Sequence, residues 1–257
     1  MKVAYLHDPG NQDGTIGGAE LTMNAFANAA PKGVEFDADG ETVIIGNCVT
    51  FSPEILGAFK DKRVFRYHHD LARHEHPKVR QWLEENATHI FTSPFHAERY
   101  LAHETCQIED FHIVPPPVDL AAFRPNRETR RKQERQGVCS IATWQNPGKG
   151  AHLITETAHR QGITVDVYGT GPFMPYGSSI NNGGPVKQED LPRMLWTYEQ
   201  FLFLPTAPEP FGRCVVEAWA AGCQVLTNDL VGAKHYIEDD QEALETAAKD
   251  FWELIGA

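Results

Sequence analysis

Between Pro205 and Cys223 the chain reads PTAPEPFGRCVVEAWAAGC, and two glutamates, Glu209 and Glu217, stand eight positions apart in it. Glu209 is held between Pro208 and Pro210, which exclude a helix up to that point. The pattern that follows predicts a helix beginning near Phe211 or Gly212. Such a start offers unsatisfied backbone N–H groups and the positive end of the helix dipole, a natural seat for a phosphate. Arg213 falls in the first turn, where a cation opposes the dipole, an arrangement that makes sense if an anion binds there. Glu217, a turn further on, can reach a ribose held beside that phosphate, and Glu209 can reach the group on its other side. Two carboxylates flanking a diphosphate, both accepting from hydroxyls, suit a nucleotide sugar. A solvated carboxylate pair at a helix start is the plainer alternative.

The elements that must position these residues alternate along the chain. Apolar runs at 3–7, 42–47, 63–69, 89–93 and 111–119 read as strands, and 19–30, 53–60, 79–87 and 94–103 read as helices. The segment 124–137, RPNRETRRKQERQG, is charged and lacks an apolar period, which marks a linker. Beyond it, strands are predicted at 138–144, 164–172, 201–205 and 224–228, and helices at 149–162, 189–200, 211–222 and 242–256. The stretch 172–185 reads as loop. This alternation predicts an α/β chain with two Rossmann-like domains, their parallel sheets covered on both sides and facing across a cleft. In open sheets of this kind ligands sit at the carboxyl ends of the strands, so the loops after strands carry the functional reading.

Bulk properties bound the rest. The chain has 257 residues, 41% of them hydrophobic, which is enough for a buried core. Its formal charge of −12 argues against a general polyanion binder, because phosphate neutralisation needs clustered Lys and Arg. The five cysteines are scattered without a C-x-x-C, as expected of free thiols in a reducing cytoplasm. The N-terminus turns polar by His7, too early for a signal peptide, and no apolar run reaches the roughly 18 residues of a membrane span. His68, His69, His74 and His76 have metal-ligand types without a familiar ligand spacing, so no metal is expected. The first loop lacks the G-x-G-x-x-G of a dinucleotide dehydrogenase.

The block EPFGRCVVEAWAAG resembles the E-x7-E signature of retaining GT-B glycosyltransferases, the large family 4-like group that includes sucrose and glycogen synthases and bacterial mannosyl- and glucosyltransferases. Further segments agree in order: IGGAE (16–20), YHHDLA (67–72), FTSPFHAERYL (91–101), IVPPPVDLAAFRP (113–125), NPGKG (146–150) and VYGTGP (167–172). Together they span residues 1 to about 235. The sequence departs from the pattern where an Arg is usual shortly before Lys-Gly, since that region reads IATWQNPGKG; Arg213 or Lys234 could substitute in charge.

The resemblance implies a compact, metal-independent transferase that moves a sugar from a nucleotide diphosphate sugar, with UDP the first choice and GDP the next. Glu217 would bind the ribose and Glu209 the sugar hydroxyls. Phe211, Gly212 and Arg213 would present backbone N–H groups, and Lys149 would neutralise the departing diphosphate. Gly17 and Gly18 would admit the diphosphate or acceptor closely, and His69 would stand near the reacting sugar. Gly169 and Gly171 would border the nucleotide, with Val186 reading the base through its backbone. The domains would be an acceptor-side unit at 1–123, a linker at 124–137, a nucleotide-sugar unit at 138–240 and a terminal helix at 241–257 that could cross back. The acceptor is open among a small molecule, a glycan and a protein, with DNA disfavoured by the charge. A nucleotide-sugar-binding protein without turnover, and an epimerase, stand as alternatives.

Overall fold

The computed structural model describes residues 1–6, 17–72, 75–126, 134–173 and 177–257, so His74, most of the first glycine-rich loop and the centre of the charged linker lie outside it. The chain forms two compact units, one of Met1–Pro117 with Asp239–Ala257, the other of Val118–Glu238.

In the first unit the strands β1 (Lys2–Leu6), β2 (Glu35–Phe36), β3 (Thr42–Ile45), β4 (Arg63–Tyr67), β5 (Ala87–Phe91) and β6 (Phe111–Ile113) form one sheet. Their order is β2-β1-β3-β4-β5-β6, and every pairing is parallel. Helices α1 (Gly18–Asn28), α2 (Leu56–Phe59), α3 (Pro77–Asn86) and α4 (Pro94–Leu101) cross between strands. Successive strand residues point to opposite faces, and the core divides accordingly. Val3 and Ile44 join Met23, Phe26 and Tyr67 on one side, while Ala4, Val43 and Ile45 join Phe59, Val79 and Leu83 on the other. This explains the near-continuous apolar runs: a strand buried on both faces has no polar face to alternate with.

The C-terminal helix Gln241–Ile255 completes the first of these cores. Phe251 stacks on Phe26 with ring centroids 3.9 Å apart, and the Trp252 indole N–H donates to the Phe26 carbonyl at 2.9 Å. Arg63 donates to the Ile255 carbonyl at 3.1 Å, closing the helix end onto β4.

The second unit holds α5 (Leu120–Phe123), β7 (Val138–Thr143), α6 (Ala151–Gln161), β8 (Val165–Thr170), β9 (Ile180–Gly184), α7 (Leu191–Leu195), β10 (Gln200–Phe203), α8 (Arg213–Ala220), β11 (Gln224–Thr227) and α9 (Ala233–Glu238). Its sheet runs β11-β10-β7-β8-β9, again parallel throughout. Three expectations are corrected here. Residues 180–184 are an edge strand instead of loop; INNGG has one apolar residue, Ile180, and no apolar period, and its ladder to β8 is backbone pairing, aided by Asn181 donating to Asp166 at 2.9 Å. The helix expected over 189–200 is only Leu191–Leu195, and Gln200 already pairs in the sheet. The first unit ends at Pro117 instead of 123, because Leu120–Phe123 packs in the second unit, where the Trp196 indole donates to the Phe123 carbonyl at 2.6 Å.

Candidate functional site

In the second sheet β7 lies between β8 and β10. The chain leaves β7 in one direction to build β8 and β9, then returns to add β10 on the other side. The strand order therefore switches between β7 and β10, and it is at the carboxyl ends of such neighbours that open α/β sheets place ligands. Lys149 lies on the loop after β7 and Glu209 on the loop after β10. Their side chains meet there in an ion pair between Lys149 Nζ and Glu209 Oε2, each side chain 22% exposed.

Both loops are built for this meeting. The Asn146 side chain accepts from the Gly148 N–H at 2.8 Å, and the Asn146 carbonyl accepts from the Lys149 N–H at 3.0 Å, a tight turn that presents the lysine. Gly150 follows at φ 77°, and a Cβ there would lie 1.8 Å from the Leu204 carbonyl oxygen. Only glycine allows the turn to lie this close to the end of β10. Thr206 N–H donates to the Gly148 carbonyl at 2.8 Å, joining the two loops directly. On the other side, Glu209 N–H donates to the Leu230 carbonyl at 2.7 Å and Gly232 N–H donates to the Glu209 carbonyl at 3.0 Å. The proline-locked segment is thus paired like a strand with the chain after β11, which fixes Glu209's backbone.

Helix α8 starts where the prolines release the chain. Gly212 is its N-cap at φ 87°, and the Glu209 side chain packs against the place a Gly212 Cβ would occupy. Phe211 is buried, with its ring 5.8 Å from that of Tyr236. Arg213 reaches along the helix to Glu217 at 3.7 Å. Glu217 is 4% exposed, and burial pushes its carboxyl up while Arg213 and the Gln188 amide pull it down. Cys214 sits among these groups: burial first, then Glu217 and Glu209, push its thiol up to about 12, and Lys149 opposes them. Cys214 therefore lies within electrostatic reach of Glu217, Glu209 and Lys149. Lys234 is turned to Asp229 at 2.5 Å.

Gly169 and Gly171 have backbone reasons for being glycine. Gly169 has φ 124°, and a Cβ there would lie 1.9 Å from the Ala142 carbonyl oxygen on β7. Gly171, at φ 80°, passes against Gln145 on the lysine loop. Val186 is half-buried in the segment after β9, two residues before Gln188. Gln188, Asn146 and Gly150 were not singled out from the sequence. N-P-G-K-G carries a readable turn signal for two of them; Gln188 carries none, being one polar residue of an exposed segment.

His69, Gly17 and Gly18 belong to the first unit. Gly17 is the N-cap of α1, its carbonyl accepting from Leu21 N–H at 3.1 Å, and Gly18 is the helix's first residue. His69 is half-buried just beyond β4, its ring 5.0 Å from that of Tyr67. The neighbouring histidines have separate tasks: His68 bonds His89 at 2.9 Å, and His76 caps α3 by accepting from Lys78 N–H at 3.2 Å. Among the described residues no three or more metal-ligand side chains converge, and no helix is long and apolar enough to cross a membrane.

This architecture is the GT-B fold of solved glycosyltransferases. Anabaena HepE, solved with UDP and glucose, superposes with a TM-score of 0.67 at 16% identity, over 100% of this chain and 95% of its own. AviGT4, a glycosyltransferase involved in avilamycin A biosynthesis, gives 0.69 at 16% identity over 99% and 91%. WaaG, a glycosyltransferase involved in lipopolysaccharide biosynthesis, gives 0.61 at 13% identity over 100% and 91%. No protein-family model matches the sequence, and no curated protein matches it.

Proposed function

We propose that this chain is a retaining glycosyltransferase that transfers a sugar from a nucleotide diphosphate sugar, with UDP as the nucleotide, to an acceptor hydroxyl. The observation that carries the reading is the convergence of Lys149, Glu209 and the N-terminus of α8 at the carboxyl ends of β7 and β10. HepE, which shares the fold, was solved with UDP and with UDP-glucose, and this supports the nucleotide.

In this reading the diphosphate lies at the start of α8, where backbone N–H groups of Gly212 and Arg213 face it. Glu217 accepts from the ribose hydroxyls, exchanging its bond from Gln188 for one from the nucleotide. Glu209 accepts from sugar hydroxyls. The Lys149–Glu209 pair holds both side chains in place beforehand, so the donor inserts between groups already oriented. The bond between the anomeric carbon and the phosphate oxygen breaks, and its electron pair leaves with the diphosphate. Lys149 and the helix N-terminus stabilise that growing charge, a task given to a metal in other designs. The acceptor oxygen then bonds the anomeric carbon from the leaving-group face, and its proton passes to the departing phosphate oxygen. Gly169 and Gly171 keep the β8 loop low beside the nucleotide, and the Val186 backbone borders the base.

The test incubates the protein with UDP-, GDP-, ADP- and TDP-sugars in the presence of a chelator. Nucleotide release is followed beside calorimetric binding, with Lys149→Ala and Glu209→Ala in parallel. Release of one nucleotide, lost in both variants, is expected. Binding of none of the four sinks the reading, and release that stops on chelation removes its metal-independent part.

A further inference from the structure

His69 is half-buried on the segment after β4, and the three residues around it are each tied down. Tyr67, beneath its ring, is fully buried and its hydroxyl donates to the Val114 carbonyl at 2.9 Å. His68 is buried too; its N–H donates to the Ile90 carbonyl at 2.9 Å, and its Nε2 shares a hydrogen bond with His89 Nδ1 at 2.9 Å. On the other side, Asp70 is exposed, yet its carbonyl is met by His96 Nε2 at 3.2 Å.

His96 is 0% exposed and its proton can be placed. Its Nδ1 faces the Thr92 hydroxyl at 2.9 Å and the Thr92 backbone N–H at 3.5 Å. A backbone N–H can only donate, so Nδ1 is the acceptor and the ring proton sits on Nε2, where it donates to Asp70. Burial holds the ring neutral by pushing its pKa down to about 4. The start of α4 holds His96 in turn, since its N–H donates to the N-cap Ser93 hydroxyl at 3.0 Å.

We propose that His96 is a positioning residue for His69: through the Asp70 carbonyl it fixes the backbone on which His69 is carried, and Thr92 fixes the tautomer that makes this possible. The consequence in turnover rests on the proposed transferase and on the role that the resemblance implies for His69; the positioning itself does not. His96 touches neither donor nor acceptor in this scheme. It acts by holding a neighbouring group within the sub-ångström tolerance that reacting geometries require.

The test compares His96→Leu, which removes the donor to Asp70, with His96→Gln, whose terminal amide can restore it, and Thr92→Val, which frees the tautomer. The His69 imidazole signals are read by nitrogen-detected NMR on the full chain, with thermal unfolding to confirm that each variant is folded. In His96→Leu the His69 signals shift and broaden; His96→Gln returns them towards wild type. Donor-release kcat falls about tenfold in His96→Leu with donor KM held within about twofold, and recovers in His96→Gln. Unchanged His69 signals in folded His96→Leu overturn the proposal, as does equal loss in the Leu and Gln variants. Should His96→Leu fail to fold, Thr92→Val decides by the same signals. A wild-type protein without donor release would remove the transferase reading while the NMR comparison still decides the positioning.

Discussion

Two acid–base pairs divide the molecule between them. Lys149 and Glu209 meet in the second unit, at the carboxyl ends of β7 and β10, with 22% of each side chain exposed. Arg66 and Glu75 meet at 2.7 Å inside the first unit with 6% of each exposed. The chemistry is nearly the same and the surroundings are not. Around Arg66 and Glu75 lie His68 and His89, buried and neutral, with Cys48 Sγ 3.9 Å from Glu75. No ligand can take the place of either partner without opening the core. The exposed pair can trade partners with an incoming molecule, because water already compensates part of each charge. A pair kept at the surface over a strand switch is suited to binding; the same pair under a helix is suited to holding the chain in one arrangement.

Replacing one partner in each place sharpens that contrast. Glu75→Ala strands the Arg66 charge in the interior and is expected to cost about 3–5 kcal/mol in denaturant unfolding. The buried histidines should add an acid limit. Burial pushes His89 and His96 down to about 4 from an ordinary 6.5. Each then contributes roughly 3 kcal/mol that is complete above pH 6.5 and lost as pH falls towards 4, because the unfolded chain takes up the proton first. Unfolding free energy measured from pH 7 to 4 should therefore fall steeply, and His89→Phe should flatten the curve.

Gly150→Ala should have a middling effect of about 1–3 kcal/mol, since it forces a side chain into a left-handed residue against the Leu204 carbonyl. It should also lower donor release by displacing Lys149, and an unchanged rate would separate the turn from the site. Glu209→Ala should cost under about 1 kcal/mol in stability while abolishing donor release. A large loss of stability there would erase the distinction between the two pairs. The smallest effect, and of opposite sign, is expected for Glu217→Gln. Burial raises the Glu217 pKa, so its charge works against folding at neutral pH, and the neutral amide should stabilise the chain slightly. Nucleotide affinity should drop about tenfold or more in the same variant, read by calorimetry.

Much of this was legible in the residues. The strands with buried faces announced themselves as unbroken apolar runs, and Pro208 and Pro210 delayed the helix that Gly212 opens. Glu209 stood out by type and spacing, and Lys149 through the Lys-Gly segment that carries the resemblance. The edge strand Ile180–Gly184 did not, since its ladder is made by backbone groups common to every sequence. Nor did the short helix Leu120–Phe123 show that it packs with the second unit, which depends on Trp196 reaching the Phe123 carbonyl. His68 looked like a member of a histidine-rich stretch, and His89 and His96 drew no reading at all; their burial and their partners emerge only when β4, β5 and α4 are stacked.

The sequence by itself determined the alternation of strands and helices, and the rigid carboxylate before a helix start. Each of these is a local property, set by side-chain periodicity or by a backbone restricted at proline and released at glycine. Only the tertiary structure decided that Lys149 and Glu209, 60 positions apart, face each other where β10 returns beside β7. It also decided that Glu217 is buried against Arg213, and that the His96 ring meets the Asp70 carbonyl beside His69. Those are consequences of strand order and burial, and strand order is chosen by the packing of whole layers, which no short stretch of residues encodes alone.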